Sequence, residues 1–62
     1  MEHEYKARFI KLYSDLPLKV RQEVISVVDD EPITWNAAYI EIMNETALGE
    51  KVLRNLISYD IL

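Results

Sequence analysis

The absence of cysteine constrains this chain more than any other feature of its sequence, because only 62 residues are available to form a core. A domain of this length buries about 60% of the surface that its unfolded chain exposes, and many small domains add disulfides, a metal ion or a partner subunit. Without cysteine, neither a disulfide nor a thiolate zinc site can form. The single histidine, His3, lies in a segment that we expect to fray. We therefore predict one domain over residues 1–62, without metal or cofactor, that is stabilised by its core or by association.

Composition narrows the class of protein further. Half of the residues (50%) are apolar, which excludes a disordered tail. No apolar run approaches the ~18 residues that a membrane-spanning helix needs. The acidic start, Met1–Tyr5, lacks the basic residues and the apolar stretch of a signal peptide. We expect a cytoplasmic protein that does not enter a membrane.

Charge is divided unequally between the two halves of the chain, whose formal net charge is −4. Residues 1–28 carry five cations and four acids, a balance of +1, whereas residues 29–62 carry two cations and seven acids, a balance of −5. A negative chain is poorly suited to coating nucleic acid. The asymmetry predicts attraction between the halves, within one chain or between subunits. The alternative interpretation is a modest basic face on the N-terminal half.

Apolar residues recur at helical spacing along most of the chain. One such segment covers about residues 2–14, and a second follows Pro17 and extends to about residue 28. Two more follow Thr34 and Thr46, a residue type that caps helix N-termini. We therefore predict an all-α fold of three or four short helices in a compact bundle or an orthogonal array.

The second of these segments has an alternative interpretation. Val24–Val28 is rich in β-branched residues, which favour strands, and Asp29–Asp30 is suited to a turn. A short β-hairpin near residues 27–34 is therefore the alternative to a helix that continues to residue 28.

The third segment is apolar on nearly all sides. Its core-facing stripe comprises Trp35, Ala38, Tyr39, Ile42 and Met43, and Ala37 and Ile40 lie on the opposite side. A helix of this kind is usually buried on more than one face, and a chain of this length has few elements to cover both. We predict a homodimer or a helical protein partner. The candidate interface residues are Trp35, Ala37, Ile40 and Met43, and Trp35 serves equally as a core anchor.

Catalytic chemistry has few residue types to draw on. Nucleophilic catalysis needs a nucleophile beside a base, but cysteine is absent and the only histidine is near an end of the chain. The acidic cluster Asp29–Glu31 lacks the alternating ligands, the glycine and the distal glutamate of an EF-hand loop. We interpret the cluster as a solvated turn and predict that the chain is not an enzyme.

The last two segments also match a helix-turn-helix unit, which places its second helix in the major groove of DNA. Lys51, Arg54, Asn55 and Ser58 share one face of the last helix, and arginine and asparagine are residue types that read base edges. The acidic balance of this half favours a simple solvated face instead. DNA binding through these four residues is therefore the alternative function.

Residues 16–24, Leu-Pro-Leu-Lys-Val-Arg-Gln-Glu-Val, resemble the helix openings of many small proteins, including some prokaryotic antitoxins. The resemblance covers nine residues and assigns a role to none of them. It adds an antitoxin-like partner to the alternative function. The main prediction is a non-catalytic helical interaction module that forms a homodimer.

Overall fold

The computed structural model describes residues 3–62, which form three α-helices and one antiparallel β-hairpin. In chain order the elements are α1 (His3–Asp15), a 3-10 turn (Val20–Gln22), β1 (Val24–Val28), β2 (Glu31–Thr34), α2 (Trp35–Met43) and α3 (Ala47–Ser58). The prediction of an all-α fold is therefore wrong. The helix expected to reach residue 28 is replaced by a 3-10 turn and a strand, because its β-branched residues pair with a second strand.

The hairpin is closed by a two-residue turn. Asp29 and Asp30 both have positive φ angles, 51° and 65°, as a type I′ turn requires. The turn pairs Val28 with Glu31 and Val27 with Pro32, and an irregularity between Val24 and Ser26 shifts the register. The alternative hairpin near residues 27–34 placed the turn correctly, but the first strand begins earlier, at Val24.

Two threonines fix where α2 and α3 begin. The Thr34 side-chain oxygen accepts a hydrogen bond from the backbone nitrogen of Ala37 at 3.1 Å, and that of Thr46 accepts one from Gly49 at 3.0 Å. Both N-caps predicted from the sequence are therefore confirmed, because capping depends on residues that are close together in the chain.

Gly49 lets α2 and α3 approach closely. A Cβ atom at this position would collide with the Glu41 carbonyl oxygen and would lie 2.8 Å from the Ile42 nitrogen. The backbone of α2 is what requires glycine here. The two helices are therefore in direct backbone contact at this point.

The core lies between this helix pair, α1 and the inward face of the hairpin. α3 packs against both α2 and β1, and α1 packs across α2 and α3. The buried apolar residues are Phe9, Val28, Ile33, Ala38, Ile42, Val52, Leu53 and Leu56. This arrangement buries Ala38 and Ile42 on one side of α2 and leaves Ile40 and Met43 exposed.

Candidate interaction site

An apolar strip runs along the outer face of α2. It consists of Ala37, Ile40 and Met43, which follow one another at three-residue spacing and so share a face of the helix. Ile40 is 55% exposed, Met43 is 40% exposed, and Ala37 is half-buried. We call these three residues the α2 strip. The prediction that Ile40 faces away from the core of its own chain agrees with this exposure.

The opposite face of α2 holds the strip in position. Ala38 and Ile42 are fully buried against the rest of the core. Thr34 fixes the first turn of the helix, and Gly49 of α3 lies directly against its last turns. The helix therefore cannot turn to bury Ile40 without losing contacts that this small core needs.

Trp35 and Met43 are each predicted both as core residues and as interface residues, and the structure separates the two assignments. Trp35, a candidate interface residue, is half-buried and stacks on Phe9 with ring centroids 5.8 Å apart, so it belongs to the core side of α2. Met43 was also expected in the core, but it is exposed. The wide apolar surface of this helix made the edge of the core impossible to place from helical spacing alone.

Two neutral amides, Asn36 and Asn44, lie beside the α2 strip. Asn36 accepts a hydrogen bond from the Tyr13 hydroxyl at 2.6 Å, and the Asn44 side chain donates one to the Ile40 carbonyl at 2.8 Å. The nearby Glu41 carboxylate accepts a hydrogen bond from the Thr46 hydroxyl at 2.7 Å. The strip is therefore an uncharged surface on a negatively charged chain.

The residues predicted to contact DNA do share α3, but two of them form ion pairs. Lys51 Nζ lies 2.9 Å from a carboxylate oxygen of Asp29 in the hairpin turn. Arg54 lies 2.6 Å from Glu50, one turn earlier in α3. Both pairs are exposed, so each contributes little stability and either cation could exchange partners.

The other two candidates for DNA contact are bonded within the chain. The side-chain oxygen of Asn55 accepts a hydrogen bond of 2.6 Å from the hydroxyl of Ser26, a buried residue of β1. Ser58 donates to the Asn55 carbonyl at 2.9 Å. Asn55 is thus directed toward the hairpin and not outward, which sequence spacing could not reveal because the strand was not predicted.

The hairpin adds an exposed surface that sequence reasoning missed. Val24 and Val27 of β1 are both more than half exposed, and Pro32 of β2 is exposed opposite Val27. In the sequence, this surface is indicated only by the run of β-branched residues in Val24–Val28. Its outward side chains could not be identified without the register of the strands.

Ion pairs and metal-ligating side chains contribute little further information about a functional site. The predicted attraction between the two halves of the chain is represented by one ion pair among the described residues, in which Lys6 lies 3.4 Å from Glu45. Within residues 3–62, no three side chains of metal-ligating type come together. No helix in this range is long and apolar enough to cross a membrane.

Comparison with family models, with curated proteins and with solved structures gives no match. Function is therefore inferred from the side chains of this chain alone.

Proposed function

We propose that this chain is a small non-catalytic interaction module that pairs with a second copy of itself through the α2 strip. The role would be carried out in the cytoplasm, a compartment that suits a small chain without disulfides.

The exposure of Ile40 is the observation that carries this proposal. A single exposed apolar residue is ordinary on a protein surface. Ile40, however, lies in the middle of a helix, with Ala37 one turn before it and Met43 one turn after it. A continuous apolar strip of this kind is the feature that marks protein–protein contacts.

The charge of the chain favours a second copy as the partner at this surface. Two chains of net charge −4 repel each other, so self-association must avoid placing acids opposite acids. The α2 strip and its bordering residues, Asn36 and Asn44, carry no charge. A two-fold contact there would oppose apolar side chains and neutral amides with their own copies.

The area that a stable dimer interface needs indicates that residues beyond the α2 strip also take part in the contact. A stable interface typically buries about 800 Å² on each partner. This is a substantial share of the 4191 Å² that the chain exposes, so the strip cannot supply it alone. Leu18 is 73% exposed, and it precedes the 3-10 turn that packs against α2. We expect Leu18 to lie at the border of the interface.

Sedimentation equilibrium over a range of protein concentrations tests the proposal. The mass should approach twice the chain mass of 7.3 kDa as the concentration rises through the micromolar range. Ile40→Glu should keep the protein monomeric, because the dimer would bring two carboxylates together in an apolar contact.

Tyr59→Glu provides a matched control, because Tyr59 is an exposed apolar residue that is not part of the α2 strip. This variant should still form the dimer. A wild-type protein that is monomeric at all these concentrations would overturn self-association. A dimer that survives Ile40→Glu would place the interface elsewhere.

DNA binding is the second candidate function. The observation in its favour is the connection of α2 and α3 by a three-residue turn, with Lys51 and Arg54 exposed on the second helix. A gel-shift assay at low salt with mixed duplex DNA separates the two functions. Salt-sensitive binding that is lost in Arg54→Ala would favour a DNA-binding regulator, and no binding would leave the interaction module.

A further inference from the structure

The two strands of the hairpin differ in how their outer edges are protected. β2 contains Pro32, which has no N–H, and begins with the charged residue Glu31. Prolines and charges are devices that prevent another chain from pairing with a sheet edge. β1, with the sequence Val-Ile-Ser-Val-Val, has neither device along its five residues. Within residues 3–62, β1 is therefore the strand whose outer edge lacks these protecting features.

The backbone of Val27 is directed toward this open edge. The pair that closes a two-residue hairpin turn, here Val28 and Glu31, is the hydrogen-bonded kind, so the adjacent pair, Val27 and Pro32, is not. The N–H and C=O groups of Val27 therefore point away from β2. Within residues 3–62, no backbone or side-chain group outside the hairpin bonds to the backbone of β1.

Exposed apolar side chains accompany the free backbone groups. Val27 is 61% exposed and Val24 is 53% exposed, whereas Ser26 and Val28 face inward. A strand added along β1 would place its own side chains beside Val24 and Val27 on the outer face. The edge thus offers both the hydrogen bonds and the apolar contacts used in strand addition.

The charges at the two ends of β1 indicate the chemistry of the added strand. Glu23 precedes β1, and Asp29, Asp30 and Glu31 follow it, all of them exposed. Asp29 pairs with Lys51, but no cation in the described residues lies within ion-pair distance of the other three. An incoming strand would therefore meet uncompensated negative charge at both ends.

The same charges disfavour a second copy of β1 as the added strand. Antiparallel pairing centred on Ser26 would place Glu23 of each chain opposite Asp29 of the other. Like charges directly opposite each other destabilise a strand pair.

We propose that the outer edge of β1 binds an extended segment of another protein that is apolar in its centre and carries lysine or arginine at both ends. This interaction is separate from the contact through the α2 strip. The backbone of Val27 would hydrogen-bond to the segment, and the acids at the two ends of β1 would select its charge.

Binding of synthetic peptides, measured by isothermal titration at low salt, tests this proposal. The probe is a seven-residue peptide of alternating valine and threonine with lysine at both ends. The matched peptide has glutamate at both ends. We expect the lysine peptide to bind at least about tenfold more tightly, because its ends pair with acids and those of the other peptide oppose them.

A second arm tests the backbone contact. The chain is short enough for chemical synthesis, and N-methylation of Val27 removes its outward N–H without changing the side chain or the pairing with β2. This protein should unfold at the wild-type temperature but bind the lysine peptide about tenfold or more weakly, because a hydrogen bond is lost and the methyl group blocks the edge.

Three results of the peptide titrations would overturn the proposal: no binding of the lysine peptide, equal binding of both peptides, or binding that N-methylation leaves unchanged. Dissociation of the self-associated protein on N-methylation would also overturn it, since the edge would then belong to a second copy. Ile40→Glu should bind the lysine peptide as the wild type does. The two proposals can therefore fail separately.

Discussion

Single residues decide where the elements of this small chain meet. Gly49 is a clear case, because helix propensity and packing make opposite predictions for it. Alanine is preferred over glycine in a helix interior by about 1 kcal/mol, so an isolated helix would gain from the change. In the folded chain the added Cβ meets the α2 backbone, which cannot move aside as a flexible side chain could.

Gly49→Ala should therefore lower the free energy of unfolding by about 1–3 kcal/mol, the usual cost of overpacking. Urea denaturation followed by circular dichroism measures this change. Ala47→Gly, at the exposed first position of α3, is the control for propensity and should cost less. An increase in stability for Gly49→Ala would contradict the close contact of α2 and α3.

Asp30 provides a second test at the scale of a residue. Its φ of 65° lies in the left-handed region, which glycine adopts without a steric penalty and other residues adopt at some cost. Asp30→Gly should raise the free energy of unfolding by about 0.5–1 kcal/mol, because glycine is the favoured second residue of a type I′ turn. The ion pair of Asp29 with Lys51 is unaffected by this change. Loss of stability on thermal denaturation would indicate a different turn.

At the scale of the element, the sequence predicts features that depend on neighbouring residues, but not those that depend on contacts between distant parts of the chain. The caps Thr34 and Thr46 act within three residues, so sequence alone located the starts of α2 and α3. Val24–Val28 fits both a helical stripe and a strand, and its conformation depends on the partners that it contacts in the fold. Those partners are Ile33 across the hairpin and Asn55 on α3, 29 residues beyond Ser26.

The candidate site likewise has a part that the sequence predicts and a part that it does not. Ile40 was placed on the outer face because helical periodicity fixes directions around an axis. The core assignment of Met43 was wrong because the sequence does not say which neighbours cover the edges of the apolar face. The open edge of β1 could not be predicted at all without the strand pairing.

The contact between β1 and α3 gives a prediction at this scale. Asn55→Ala leaves the buried Ser26 hydroxyl without its acceptor, which should cost about 1–3 kcal/mol of unfolding free energy. Arg54→Ala, at the exposed neighbouring position, should change stability by no more than about 0.5 kcal/mol.

A double-mutant cycle with Ser26→Ala identifies the cause of the loss. If Asn55 acts through Ser26, Asn55→Ala should lower the free energy of unfolding much less when Ser26→Ala is already present. Additive effects would show that Asn55 stabilises the fold in some other way.

At the scale of the whole molecule, the chain combines a small core with apolar surface that remains exposed. The core fastens α2 against α3, and the hairpin covers α3. Ile40 and Met43 of the α2 strip remain exposed, whereas Ala37 packs in part against the core. Self-association through this strip is the central proposal, and it would bury the apolar side chains of α2 that the described residues leave exposed.

Methyl NMR spectra recorded at several protein concentrations test this proposal most directly, because they locate a contact as well as detect it. The methyl resonances of Ile40 and Met43 should shift as the protein is diluted and the dimer dissociates. The methyl resonances of Val27 and the buried Leu56 should stay in place. Unchanged Ile40 and Met43 resonances, together with a constant mass or with shifts confined to other residues, would contradict self-association through the α2 strip.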